Sequence, residues 1–258
     1  MHGDLFDSTL PAGAPELMRT SAYNRYLEEL EAKALHERAG VTGVSTRISS
    51  LSPSLLADLQ RFERGGGNTD VLEVLAACVR HAKRVTVHLQ CGPHVLPLTV
   101  FPQDQLVHSP MDLSELFDQH LAGLRVMHVE LALRRPPGDS GWAPLGEAHL
   151  HHPLPPLLWA LALRGQRSAL LPEIAGAAVY RVAPALDITA LPVRGALQAA
   201  VQRLRLRTVN LREISEWPGL TREGAQRLLN ALYLQAGLIV SRSHPAALGQ
   251  GWLGLGGR

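Results

Sequence analysis

Four residues within a span of six, Glu147, His149, His151 and His152, have side chains of the types that hold zinc. On an extended strand His149 and His151 would share one face, so two imidazoles could grip one ion and make the chain a metal-dependent enzyme. No cysteine and no His-x-x-x-His pair lies nearby, and the run adjoins a Pro-rich stretch. Surface-loop histidines are therefore the preferred reading, with no bound metal and no cofactor. Cys91 with His94 three residues on has the spacing of a thiolate-imidazole pair. It sits in a Cys-Gly-Pro turn, which does not build an enclosed oxyanion site. Cys78, on the apolar side of a helix, belongs to a core. The glycines between Arg64 and Asn68 follow a helix and precede no Lys-Ser/Thr pair, unlike a phosphate-binding loop. Neither Gly-x-Ser-x-Gly nor His-Glu-x-x-His occurs. Carboxylates paired from distant parts of the chain stay open; otherwise no catalysis is expected.

A second chemistry is recognition. On a helix predicted over Arg222–Ala236, the residues Arg222, Glu223, Gln226, Arg227 and Asn230 fall opposite Ala225, Leu228, Leu229 and Leu232. Arginine can fork onto guanine, and glutamine or asparagine onto adenine. The same outward row ends in Tyr233 and Leu234, which suits a protein surface better. Arg203, Arg205 and Arg207, at the end of the preceding helix, are candidates for phosphate contact. Beyond Val240 only Arg242 and His244 follow, without a basic cluster. Residues 181–258 hold ten arginines against four acids, a net charge of +6, while the first 180 carry −4. That asymmetry fits an anionic partner, and equally a small helical module solvated by arginine. Of the 25 basic residues 23 are Arg, a bias ascribed to coding.

These residues need elements to position them. Tyr23, Tyr26, Leu27, Leu30 and Ala34 have helical spacing within Ser21–Ala39, and Gly40 stops that helix. A short strand is expected at Val41–Ser49. Ser52-Pro53 opens a helix bearing Leu55, Leu56, Leu59 and Phe62, which Gly65–Gly67 ends. Asn68–Asp70 starts the next, to about Arg80. Val85, Val87 and Leu89 alternate with Thr86, His88 and Gln90, and after the Cys91-Gly92-Pro93 turn His94–Val100 returns as a hairpin. Strands near Gln105–His108 and Leu124–Ala132, with a helix at Asp112–His120 between them, complete a small sheet. The fold class is α+β: a mostly antiparallel sheet with helices, followed by a winged-helix-like α module. The expected domains are 1–133, a linker or long loop at 134–144, a helical and connecting region at 145–194 with a buried helix at Pro155–Leu163, and a module at 195–258.

Within that module a helix at Gly195–Leu206 precedes a short helix at Leu211–Glu216 capped by Asn210. The turn Trp217-Pro218-Gly219, the long helix capped by Thr221 and the strand Leu238-Ile239-Val240 follow. The stretch LREISEWPGLTREGAQRLLNALYLQAGLIVSR resembles the winged helix-turn-helix superfamily over about fifty residues. That resemblance implies a third helix able to enter the major groove. The run LPLTVFPQDQLVHSP, Leu96–Pro110, resembles the PATAN (domain of unknown function 4388) regulatory modules of bacteria. It implies signalling or protein-interaction duty without catalysis.

The 258 residues suffice for one large domain or two small ones, and 23 Gly with 18 Pro are too few for a low-complexity chain. Only twelve aromatic residues are present, few for stacking on single-stranded nucleic acid. No apolar run reaches the roughly 18 residues of a membrane span, and no secretory signal is recognised at the start. Two cysteines thirteen apart form no disulfide framework. The expectation is a non-enzymatic, cytoplasmic, bacterial regulatory or adaptor protein acting through protein contacts, with no membrane partner. A transcription regulator that binds duplex DNA is the alternative, and a metal-dependent enzyme at the His149 cluster the second.

Overall fold

The structure, a computed structural model, describes residues 17–29, 70–119, 121–132, 134–138 and 148–243. The expected strand Val41–Ser49, the helix opened by Ser52-Pro53 and the glycines Gly65–Gly67 lie outside these residues, as does His244. A short strand, Met18–Arg19 (β1), leads into a helix described over residues 20–29 (α1). Val71–His81 forms α2. The Asp70 carboxylate accepts the Leu72 N–H at 2.9 Å, which satisfies a donor that the first turn leaves without a partner.

The hairpin is Val85–Cys91 (β2) and His94–Phe101 (β3). Gly92 turns it with a φ of +58°, the sign that primed hairpin turns require. Leu106–His108 (β4), the helix Leu113–Gln119 (α3) and Arg125–Leu131 (β5) follow. His151–Pro153 (β6) returns to the sheet, whose order is β5-β2-β3-β4-β6, with β1 beside the start of β3. Every pairing is antiparallel, so the fold is α+β. On one face Val85, Val87, Leu89, Leu96, Leu98, Val100 and Val107 are fully buried. On the other, the register sets Glu130, Thr86, Thr99, His108 and His151 side by side across five strands.

β6 corrects the surface-loop reading of the histidines. His151 and His152 belong to an edge strand, and His149 to a single 3-10 turn, Ala148–Leu150, before it. Local composition beside a Pro-rich stretch gave no sign of pairing with β4, which comes from 45 residues earlier in the chain.

Leu154–Arg164 (α4) starts with two prolines in its first turn, where a missing N–H costs no helical bond. Leu154, Leu157, Leu158, Trp159, Ala160, Leu161 and Ala162 are all buried, so this helix has no solvated face of its own to spare. It closes at Gly165. A Cβ there would stand 2.3 Å from the Leu161 carbonyl oxygen, and only glycine fits. Val179–Val182 (β7), Gly195–Leu206 (α5), Val209–Asn210 (β8), Leu211–Ser215 (α6), Arg222–Leu234 (α7) and Leu238–Ser241 (β9) complete the chain. Asn210 and Thr221 cap α6 and α7 by accepting the N–H of Glu213 and of Gly224. The three strands form an antiparallel sheet in the order β8-β7-β9, its centre supplied by residues that precede α5. One continuous buried core runs from α2 and the front sheet through α4 to α5, α6 and α7. No helix among the described residues is long and apolar enough to cross a membrane.

Candidate functional site

α7 packs on α4, and this divides its polar residues. The Arg227 Nη1 donates to the carbonyl oxygens of Gly165, at 2.8 Å, and Leu163, at 3.3 Å, while its Nε donates to Glu223. Arg227 therefore binds the carbonyls left open where α4 ends, a place that also favours positive charge. Asn230 is fully buried. Its amide donates to the Ala169 carbonyl and accepts the Leu171 N–H, both at 2.9 Å. Both residues were expected on an outward, partner-reading face; they face inward instead, and Leu234 is buried with them. The reason is that the chain leaving α4 crosses α7, and its backbone groups need partners once covered. Helical spacing identifies the side opposite the leucines but cannot tell that a second layer covers it. Tyr233 is half-buried beside Glu173 and Arg80, and burial, with the Glu173 charge, raises its phenol above the ordinary value.

The same crossing segment is gripped from the front. Arg167 bonds Asp70 at 2.7 Å and Glu73 at 2.9 Å on α2, and also the carbonyls of Ala169 and Leu170. Arg80 pairs with Glu173, and Arg242 donates to the Glu173 carbonyl. Residues 165–175 thus tie α2 to α7.

Arg203 and Arg207 stand over the Trp217 ring at 5.5 and 5.6 Å, and Arg207 also pairs with Glu213. Arg205 donates to the Leu186 carbonyl at 2.7 Å and is half-buried. These three arginines hold the corner between α5 and α6 and the connection before α5. Arg222 and Glu223 remain exposed on the first turn of α7. Arg222 and the half-buried Gln226 meet Arg212 around a hollow of about 330 Å³, whose other walls include Leu170, Ala178 and Leu211.

A larger cleft, of about 640 Å³, lies between α1 and the outer face of the front sheet. Its floor holds part of the polar row: the Thr86 and Thr99 hydroxyls are 3.1 Å apart, and His88 Nε2 is 2.9 Å from the Glu130 carboxylate. The Tyr23 ring stacks on His88 with centroids 5.1 Å apart. Tyr23 is 3% exposed, and among the described residues its buried hydroxyl has no hydrogen-bond partner. Burial, reinforced by the Glu130 charge, raises this phenol well above its ordinary value, so it is a neutral donor. The hydrogen bond from His88 holds the Glu130 carboxyl below the usual range despite its partial burial.

None of these residues was singled out by motif. The alternation of Thr86 and His88 with buried valines placed them on the second face, and the helical stripe contained Tyr23. What the sequence lacked was the register that aligns Thr99 and His108 with them, and the helix lying over that face.

His151 packs against His108 and Phe101, with ring centroids 5.0 and 5.9 Å away. Burial lowers the His152 pKa, against the pull of Asp112. Among the described residues no group of three or more His, Cys, Asp or Glu side chains is placed to hold a metal; Glu147 lies outside them. Cys91 and His94 face each other across the hairpin end, with His94 exposed. Burial and the Glu115 charge raise the Cys91 thiol, the opposite of what an activated nucleophile needs. Burial pushes the Cys78 thiol up to about 12. Comparison of the chain with protein-family models, curated proteins and solved structures finds no match.

Proposed function

We propose that this chain is a non-enzymatic, cytoplasmic regulatory or adaptor protein whose C-terminal module, a winged-helix-like unit, recognises a protein partner. The observation that carries this is the covering of α7. With Arg227 and Asn230 spent on the segment that leaves α4, the helix offers a partner only its first turn. That turn opens on the hollow of Arg212, Arg222 and Gln226 with aliphatic walls. Two guanidinium groups beside a few aliphatic side chains suit a carboxylate next to an apolar side chain, and the volume suits one or two side chains of a protein. Duplex recognition needs a row of base and phosphate contacts along an open helix. Here Arg203, Arg205 and Arg207 are engaged with Trp217, Glu213 and Leu186. The resemblance of Leu96–Pro110 to bacterial regulatory modules points the same way.

Selection from a displayed random-peptide library on the full chain tests the proposal, with a parallel titration of labelled duplex DNA at several salt concentrations. Enriched peptides should pair Asp or Glu with an aliphatic residue, and Arg222→Ala should weaken them roughly tenfold, the scale of one charged hydrogen bond. Duplex binding should be weak and indifferent to Arg222→Ala. If instead log affinity for the duplex falls by roughly 4.5 per decade of salt, as five phosphate contacts require, the protein is a DNA-binding regulator.

A further inference from the structure

We propose that the cleft between α1 and the front sheet binds a small, neutral, planar heteroaromatic molecule. This goes beyond the protein contact assigned to the C-terminal module and uses none of its residues. The cleft's volume of about 640 Å³ lies within the range of ordinary small-ligand pockets. Its composition narrows the class. Among the described residues Glu130 and Arg134 are the Asp, Glu, Lys or Arg side chains that line it, and their charges oppose one another. An anion would be drawn to Arg134 and repelled by Glu130, and a cation the reverse, so the wall favours neither sign, and a neutral guest enters without the cost of leaving water as an ion.

Shape comes from the walls. The floor is the face of paired strands carrying Pro97 and the two threonines, and Tyr23 and Tyr26 come from the helix above. With the Tyr23 ring already stacked on His88, the exposed Tyr26 ring is the aromatic surface open to a guest, and it favours a flat one, since offset or tilted ring pairs add to simple area burial. The polar groups favour a guest rich in acceptors. Of two hydroxyls bonded to each other, as in Thr86 and Thr99, one proton is left to donate. The Tyr23 hydroxyl is a second donor, buried and without a partner among the described residues. A buried donor left unsatisfied is unfavourable for the fold, and a ligand carbonyl or ring nitrogen beside it removes that penalty. Two or more acceptors on a ring system meet both donors.

Fluorescence and calorimetric titration of the full chain with lumichrome, caffeine and nicotinamide tests this, with benzoate, benzylammonium and cyclohexanediol as charged or non-planar comparisons. At least one of the three heteroaromatics should bind more tightly than every comparison compound. Tyr23→Phe, which keeps the ring and removes the donor, should weaken that binding roughly three- to tenfold, the loss of one neutral hydrogen bond. Thr86→Val with Thr99→Val should do the same, and Arg194→Ala, at an exposed position outside the cleft's lining, should change nothing. Failure of all three heteroaromatics to bind at millimolar concentration overturns the proposal. So does tighter binding of benzoate or benzylammonium, or binding that ignores both the Tyr23 and the threonine variants.

Discussion

Two regions bury polar side chains, and they do it differently. Under the segment that leaves α4, Arg227 and Asn230 find a partner for each polar end, and the groups they meet are backbone carbonyls and an N–H of a covered loop. On the outer face of the front sheet, Glu130, Thr86, Thr99 and His108 line a cleft beneath α1, and among the described residues the Tyr23 hydroxyl has no partner. The first arrangement is closed: each bond is internal, and its function is to hold α2, α4 and α7 in one body. The second is open, with hydrogen-bonding capacity facing a cavity. Polar residue type alone therefore does not mark a site. Arg, Gln and Asn on α7 have the chemistry of base recognition, yet two of the four, Arg227 and Asn230, are consumed within the fold.

The largest effect expected from this contrast is on the core beneath α7. Leu229→Ala, at a fully buried position, should cost about 2–5 kcal/mol in denaturant unfolding. Asn230→Ala comes next, at about 2–4 kcal/mol, because it leaves the Ala169 carbonyl and the Leu171 N–H buried without partners. A cost below about 0.5 kcal/mol at Asn230 would mean that the crossing segment is not held there, and would return α7 to the role of an exposed reading helix.

How much of this was readable from residues alone follows the same divide. The hairpin, the start of α2 by Asp70, the caps Asn210 and Thr221, the apolar α4 and the leucine stripe of α7 depend on local signals: alternation, short polar side chains before a helix, helical spacing. Each is observed where it was expected. The return of His151–Pro153 to the sheet, the covering of Asn230 and the placing of Glu130 beside Thr86 depend on pairings between residues 43 to 61 positions apart. No local pattern encodes those distances. Tyr23 illustrates the limit: its helical stripe was plain, but its stacking partner His88 lies 65 residues away.

Smaller effects test the open region. As pH falls below 6.5, the unfolded chain takes up the His152 proton before the folded one does, because burial lowers the folded pKa. Stability is whole above that value and declines beneath it. Glu130 repeats this at lower pH: its folded pKa lies below the ordinary 4.5, so its contribution is present above 4.5 and is lost as pH falls through the folded value. In denaturant midpoints measured from pH 8 to 3, His152→Gln should flatten the first decline and Glu130→Gln the second. Smallest of all is the change expected from Tyr23→Phe without ligand. Removing a hydroxyl that has no partner among the described residues should leave stability within about 1 kcal/mol of the parent, on the favourable side.

The contrast between closed and open polar groups is tested most directly by thermal melting of three proteins, the parent, Asn230→Ala and Tyr23→Phe, each with and without whichever of lumichrome, caffeine or nicotinamide binds the parent best. The parent's midpoint should rise with ligand. Asn230→Ala should start several degrees lower and rise by the same increment, since it damages the scaffold and spares the cleft. Tyr23→Phe should start at or above the parent and gain markedly less from the ligand. A Tyr23→Phe protein that gains as much as the parent, or an Asn230→Ala protein that starts at the parent's midpoint and loses its ligand response, would contradict the division of the molecule into a closed polar scaffold and an open polar site.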